Sequence, residues 1–289
     1  MTKGKVLVIG SNATRIEVRG GWGSTGQYLN ETVVPAMAII EAGYDVVLAT
    51  PNGTKPHIDA ASDAAAHFEG DEAAYARAKA FYAEDHSMNQ VRTLRSVIEE
   101  GLDKFAGVFV PGGQAPVVDL MQDANMGEIL RHFHERAKPT ALLCHGPIAV
   151  VSAMPKAAAF RAAMLAGDDA KAAELAAGWQ YAGYNMTVFS ATEEKVVEDY
   201  ILHDKMFFDM PSALTAAGGN VITTPVDFEP HVVVDRELIT AQNPRSDHPI
   251  AATFVKALDR QLAVKARGVI PGKAPVTAVL RPSRLAKEP

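Results

Sequence analysis

Residues 140–151 read TALLCHGPIAVV and include Cys144, the only cysteine among 289 residues. The apolar residues before Cys144 predict a buried strand. Gly146 permits a sharp turn, and Pro147 has its φ angle preset for the first turn of a helix. A residue on such a strand-to-helix turn projects at the carboxyl edge of a sheet, where open α/β sheets bind their ligands. The segment therefore predicts a nucleophile elbow in which cysteine takes the place of serine.

The chemistry of this turn depends on how Cys144 is protonated. The N-terminus of a helix supplies partial positive charge, so we expect a lowered thiol pKa and a thiolate. His145 is a candidate base, although adjacent residues usually point in different directions, and the sequence also allows His145 to pack locally. A lone cysteine can equally be a small buried hydrophobe, so the elbow needs support from other residues.

Short apolar runs alternate with helical patterns on both sides of the elbow. Strands are predicted at 5–9, 45–50, 107–113, 140–144, 186–190, 220–224, 231–235 and 237–241, and helices at 28–43, 71–104, 126–138 and 250–263. Near-continuous apolar strands separated by helices predict an α/β fold with a mostly parallel sheet covered by helices on both faces. We expect one domain over residues 1–264 with a helical insert at 155–180, followed by a basic, proline-containing tail at 265–289.

Two further segments are candidates for the same edge of the sheet. Gly112 and Gly113 follow the predicted strand GVFV, where their backbone N–H groups can meet a developing oxyanion and let a substrate approach closely. Glu31, in NETVVPA, is not on an obviously polar helix face, so its carboxyl group can serve as a general acid–base partner of the thiol. The alternatives are a plain strand-ending turn and a solvated or capping glutamate.

Residues 21–26, GWGSTG, match the G-x-G-x-x-G pattern of dinucleotide-binding loops. That pattern requires the loop directly after the strand and an acidic residue at the end of the next strand, and neither is present. We therefore expect no dinucleotide and interpret the loop as a flexible wall of the site. His132 and His134 lie on different faces of a predicted helix, so they are poor candidates for a shared metal. We expect no metal, and no cofactor of another kind.

The chain resembles the ThiJ/PfpI superfamily, which has a flavodoxin-like, class I glutamine-amidotransferase-like fold. The resemblance rests on the ordered set of the first strand, ETVVP, FVPGG and LLCHGP. The resemblance extends to about residue 263 and is greatest to the larger glyoxalase III and chaperone-type branch. It implies that Cys144 is the nucleophile, that Glu31 is its carboxyl partner and that Gly113 and the His145 N–H bind an oxyanion. It also implies an acidic partner for His145, for which we place Glu193 ahead of Glu194.

The resemblance implies a cofactor-free, glutathione-independent lyase that converts methylglyoxal, or a similar reactive carbonyl, to a hydroxy acid through a hemithioacetal on Cys144. The insert and residues 207–214 can reshape the pocket, so the substrate does not follow from the family. Two alternatives stay open. One is a cysteine amidase or peptidase with His145 as base, and the other is a stress chaperone or redox sensor read out by oxidation of Cys144.

Composition limits the partners and the location. The net charge of −6 and the pI of about 5.9 argue against nucleic-acid binding. No stretch reaches the roughly 18 apolar residues of a membrane span, and the start MTKGKVLVIG lacks the pattern of a secretory signal. We expect a cytoplasmic protein without an internal disulfide that acts on a small carbonyl compound, and the resemblance implies a homodimer.

Overall fold

The computed structural model describes residues 2–266 of the chain. Its centre is a seven-stranded sheet in the order β10-β11-β7-β6-β1-β4-β5. The eleven strands of the described residues are β1 (Lys5–Ile9), β2 (Arg15–Val18), β3 (Gly21–Ser24), β4 (Asp45–Thr50), β5 (Arg92–Thr93), β6 (Phe105–Val110), β7 (Thr140–Leu143), β8 (Asn185–Met186), β9 (Asn220–Val221), β10 (Val232–Asp235) and β11 (Leu238–Ala241). Every neighbouring pair in the central sheet is parallel except β10 with β11, so the predicted α/β fold is confirmed.

Helices cover both faces of this sheet. The α-helices are α1 (Leu29–Glu41), α2 (Glu72–Glu84), α3 (His86–Asn89), α4 (Leu94–Glu100), α5 (Ala124–Glu135), α6 (Ala157–Ala166), α7 (Asp169–Leu175), α8 (Ala191–Val197), α9 (Met210–Ala216) and α10 (Asp247–Ala266). Alternate residues of β1 enter opposite cores, because successive side chains of a strand point to opposite faces. Leu7 packs in the cluster that includes Phe133 of α5, whereas Val8 packs in the cluster that includes Phe254 of α10.

Several predicted elements differ in extent from the structure. The stretch 71–104 contains three α-helices and not one. Each begins after a residue whose side chain caps its N-terminus: Asp71 for α2, Asp85 for α3 and Thr93 for α4. The strands predicted at 186–190 and 220–224 shrink to β8 and β9, which pair with each other outside the central sheet.

The insert and the chain ends follow the predicted order with shifted boundaries. The alanine-rich stretch 155–180 folds as α6 and α7. Helix α10 extends to Ala266, so the first two residues of the predicted tail belong to it, and residues 267–289 lie outside the described part of the chain. The predicted loop at 21–26 is instead largely β3, which pairs antiparallel with β2. Among residues 2–266, every helix is too short or too polar to cross a bilayer.

Candidate active site

Cys144 lies at the carboxyl end of β7 in a backbone conformation that is unusual for a side-chain-bearing residue. Its φ is +61°, in the left-handed region. Its N–H donates to the Ala241 carbonyl at 2.8 Å, and its own carbonyl accepts from the Phe189 N–H at 2.9 Å. These bonds to two neighbouring segments hold a turn that costs about 1–3 kcal/mol in isolation. The predicted sharp turn is present, and the residue with positive φ is Cys144 rather than Gly146.

Gly146 is needed for close packing. A Cβ atom at this position would lie 2.7 Å from the Val110 carbonyl oxygen at the end of β6. The turn after β7 can therefore approach the end of β6 only with glycine here.

The Gly112–Gly113 turn after β6 meets the elbow and α1 at one point. A Cβ on Gly112 would lie 2.7 Å from both the Cys144 Cβ and Glu31 Oε2. The close approach expected of this glycine is therefore made by the protein's own Cys144 Cβ and Glu31 carboxyl group. The Gly112 N–H donates to Glu31 Oε2 at 2.9 Å, so it holds Glu31 and is not the free oxyanion donor that the sequence predicted. The Gly113 N–H faces the Cys144 sulfur and keeps that candidate role.

Glu31 lies in the first turn of α1 and is completely buried. Burial raises the pKa of its carboxyl group to about 8, because the charged form loses its hydration, and hydrogen bonds from Cys144 and Gly112 only partly oppose this effect. A nearby Asp247 charge acts in the raising direction. Glu31 is therefore largely protonated at neutral pH and can both give and take a proton near that pH.

The Cys144 thiol is 1% exposed, and its pKa is well above the ordinary value. Burial is the largest cause, followed by the negative charge of Glu31, while the Gly113 N–H acts weakly in the opposite direction. The expectation of a lowered thiol pKa at the helix N-terminus is therefore wrong for the closed site, since desolvation outweighs the local dipole. A neighbouring base must take the thiol proton before the sulfur can attack.

His145 is placed to act as that base. Its Nδ1 lies 3.3 Å from the Cys144 Sγ, and its Nε2 lies 2.7 Å from Glu194 Oε2. The pairing of adjacent residues that the sequence left open is thus present in the structure. The His145 ring packs on Phe189 with ring centroids 4.5 Å apart, which fixes the plane of the imidazole.

The acidic partner of His145 is Glu194, so the order in which the sequence placed Glu193 and Glu194 is wrong. Glu193 instead closes a capping box with Ser190 at the start of α8. Its buried carboxylate also accepts from the Phe228 N–H, Gln242 and Asn243. The Ser-x-x-Glu spacing of a capping box is visible in the sequence at 190–193 and was the signal that could have separated the two glutamates.

Sequence reasoning missed Gln114, which donates from Nε2 to Glu194 Oε1 at 2.9 Å. No motif singles this residue out, because its role depends on the meeting of two segments 80 residues apart. Within residues 2–266, no group of three or more His, Cys, Asp or Glu side chains is arranged to hold a metal ion.

The segments that form this site match a known protein family. Residues 26–157, which span Glu31, the Gly112–Gly113 turn and Cys144, match the model of the DJ-1/PfpI family. The chain therefore carries a DJ-1/PfpI family domain over these residues. The predicted superfamily resemblance is therefore confirmed.

Proteins similar to this chain include named enzymes. The glutathione-independent glyoxalase hsp3101 of Schizosaccharomyces pombe is 24% identical over 88% of this chain and 96% of its own length. A protein/nucleic acid deglycase HchA of Staphylococcus aureus is 26% identical over 89% of this chain and 80% of its own length. The crystal structure of glyoxalase III from Candida albicans shares the fold with a TM-score of 0.67, at 15% identity over 88% of this chain and 97% of that one. Because HchA is named for nucleic acid as well as protein, the exclusion of nucleic acid from net charge stays a prediction.

Proposed function

We propose that this DJ-1/PfpI protein is a glutathione-independent glyoxalase that converts methylglyoxal, or a similar small α-oxoaldehyde, to a hydroxy acid. The observation that carries the proposal is the buried Glu31 carboxyl group, with a pKa of about 8, directly beside the Cys144 thiol. An isomerising enzyme needs a group that both removes and returns a proton near neutral pH, and Glu31 meets that requirement. Two relatives named glyoxalase or deglycase support the same chemical class.

In the first step, Cys144 adds to the aldehyde carbon. His145 Nδ1 takes the thiol proton, and Sγ forms a bond to the carbon as the C=O π bond breaks. The proton then passes from His145 to the oxygen, which becomes the hydroxyl of a hemithioacetal. The Gly113 and His145 backbone N–H groups are the candidate donors for the oxygen as it gains negative charge. Glu194 accepts from the protonated imidazole and stabilises its positive charge.

In the second step, Glu31 moves a proton between two adjacent carbons. In its ionised form it removes the hydrogen from the thiol-bearing carbon, which gives an enediolate with its negative charge on the neighbouring oxygen. It then returns that proton to the neighbouring carbon, while the hydroxyl proton of the hemithioacetal passes to the neighbouring oxygen, and the product is a thioester of a 2-hydroxy acid. Because one buried carboxyl group makes both transfers, each proton path is short.

Water then hydrolyses the thioester, releases the hydroxy acid and restores the thiol. His145, oriented by Glu194, is the base for the attacking water. The sequence of steps is redox-neutral, because one carbon is oxidised while its neighbour is reduced, and it consumes only water.

The closed site favours a small substrate over a glycated macromolecule. Cys144, His145 and Glu31 are each no more than 2% exposed, so a bulky side-chain adduct has no direct access to the sulfur. The deglycase relatives make release of a carbonyl from a modified amine the second candidate. The two candidate functions differ in substrate. The glyoxalase acts on a small, free α-oxoaldehyde, whereas the deglycase acts on the larger adduct of a carbonyl with an amine.

The test is lactate formation from methylglyoxal by the purified, reduced protein in glutathione-free buffer. We expect turnover in the wild type, none in Cys144→Ser or Glu31→Gln, and wild-type turnover in Glu41→Gln, which removes an exposed carboxylate from the same helix. Release of free amine from a glycated N-acetyl amino acid is measured in parallel.

Absence of lactate from folded, reduced wild-type protein rejects the glyoxalase. Amine release alone would then support the deglycase. Cleavage of amides or peptides would instead support a cysteine hydrolase. Peroxide-dependent modification of Cys144 without any turnover would support a redox sensor.

A further inference from the structure

Glu194 has a second partner besides His145. Gln114 directly follows the Gly112–Gly113 turn, and its Nε2 donates to Glu194 Oε1 at 2.9 Å, while Glu194 Oε2 lies 2.7 Å from His145 Nε2. All three side chains are buried. Each carboxylate oxygen therefore has one nitrogen within hydrogen-bond distance, and the three side chains are closed to solvent.

This arrangement determines where the imidazole hydrogen lies. The Gln114 amide N–H can only donate to Oε1, and an ionised carboxylate can only accept, so a Glu194 carboxylate requires that His145 donate from Nε2. The neutral ring then presents an acceptor at Nδ1, 3.3 Å from the Cys144 sulfur. A protonated Glu194 could instead donate to Nε2, which would place the ring hydrogen on Nδ1 and remove the base from the thiol.

A glutamine amide suits this position because it donates without titrating. A carboxyl group in its place would share a proton with Glu194, because two touching carboxylates do not both ionise readily. The Met206 Sδ lies 3.8 Å from the same Nε2, and a thioether is too weak an acceptor to draw the amide away from Glu194.

The connection also joins two parts of the site. Gln114 is next in sequence to Gly113, whose N–H faces the thiol sulfur, whereas Glu194 belongs to the first turn of α8. The hydrogen bond between Gln114 and Glu194 thus fixes the position of the Gly112–Gly113 turn relative to α8, the helix whose Glu194 orients His145.

We propose that Gln114 is a positioning residue that holds Glu194 ionised and thereby sets the His145 tautomer that accepts the Cys144 proton. Its effect on turnover rests on the proposed glyoxalase function, whereas its effect on the reactivity of Cys144 does not. Other titratable groups face this site from two helices: Glu31 and Tyr28 at the start of α1, and Glu193 on α8. These groups are the same in every variant below, so differences between variants report on Gln114.

The test compares Gln114→Met, which keeps the length and removes the donor, with Gln114→Glu, which keeps the shape and adds a carboxyl group. Gln122→Met is the matched control, because the Gln122 amide donates to the Val118 carbonyl at 2.7 Å, outside the site. Alkylation of Cys144 by iodoacetamide is followed by mass spectrometry from pH 5.5 to 9, and lactate formation is measured over the same range. Cys144 is the only cysteine, so the alkylation signal belongs to one site.

We expect the alkylation profile of Gln114→Glu to move to higher pH by about one unit, since the added carboxyl group retains a proton with Glu194. The profile of Gln114→Met should move in the same direction by a smaller amount, and that of Gln122→Met should match the wild type. In turnover, kcat of Gln114→Glu at pH 7 should fall about tenfold with KM within about twofold, because the residue acts on the base and not on the substrate.

Profiles of folded Gln114→Met and Gln114→Glu that both superimpose on the wild type would overturn the positioning role. If Gln114→Glu does not fold, Gln114→Met alone decides, and a profile identical to the wild type rejects the proposal. Shifted profiles without lactate from the wild type would support the role of Gln114 and reject the glyoxalase. Lactate formation by the wild type together with unshifted alkylation profiles would support the glyoxalase and reject the role of Gln114.

Discussion

The raised pKa of Glu31 has a measurable consequence for stability, and Glu31→Gln isolates it. The folded protein holds the carboxyl proton up to a pKa of about 8, whereas the unfolded chain releases it near 4.5. Between these two values the folded state binds more protons than the unfolded state, so stability falls as the pH rises. Glutamine keeps the shape of the side chain, retains an oxygen for the Gly112 N–H and has no proton to release.

The magnitude follows from the two pKa values. The full difference of about 3.5 units corresponds to about 5 kcal/mol, and integration from pH 5 to pH 8 gives about 3.5 kcal/mol. The unfolding free energy of Glu31→Gln minus that of the wild type should therefore rise by about 3–4 kcal/mol over this range. The other titrating groups shared by the two proteins largely cancel in the difference.

Urea unfolding at pH 5, 6, 7 and 8, with the m-value checked for equality between the two proteins, gives the required free energies. Glu41→Gln, from the exposed end of the same helix, is the matched control. A difference between Glu31→Gln and the wild type that stays constant with pH, or that falls, would refute the raised pKa. Glu31 would then be ionised at neutral pH, and its part in the proton transfer would need another explanation.

Three further predictions concern the same site. Lactate formation should increase about 50-fold from pH 6 to pH 8, following the ionised fraction of Glu31, and a flat profile measured by lactate assay would contradict this role. Glu193→Gln should lower the unfolding free energy by about 2–4 kcal/mol, because its amide nitrogen replaces an oxygen that accepts two hydrogen bonds. Glu194→Gln should mainly lower kcat, by about 100-fold. Urea unfolding and kinetics on both variants would expose a reversed pattern. Gly112→Ala should destabilise the protein by about 2–3 kcal/mol and abolish turnover, since the new methyl group would lie 2.7 Å from Glu31 Oε2, and an active, stable variant would disprove the close contact.

Much of the fold and part of the site could be predicted from local sequence. Apolar strands alternating with helices predict a parallel sheet, and parallel strands bring their carboxyl ends to one edge. For that reason the sequence alone predicts that the turn after β6 and the elbow after β7 lie together. The short strands β8 and β9 were overestimated because β-branched runs also occur in extended segments outside a sheet.

The choice between Glu193 and Glu194 shows what local sequence leaves open. The two carboxylates are adjacent and chemically identical, and the phase of α8 decides which one faces His145. The capping box directs Glu193 back to Ser190, and Glu194 is left on the inner side. The capping signal is local, but the position of His145 relative to α8 is not.

The sequence by itself determined the residue types of the site, the turn that presents Cys144 and the glycines that let neighbouring segments meet, because backbone conformation and close packing depend on local residue identity. Only the tertiary structure decided the protonation of the site. Desolvation depends on everything packed around a group, and it reversed the expected direction of the Cys144 pKa and raised that of Glu31 to about 8. The partnership of Gln114 with Glu194 was likewise decided by folding, since it joins residues 80 positions apart in the chain.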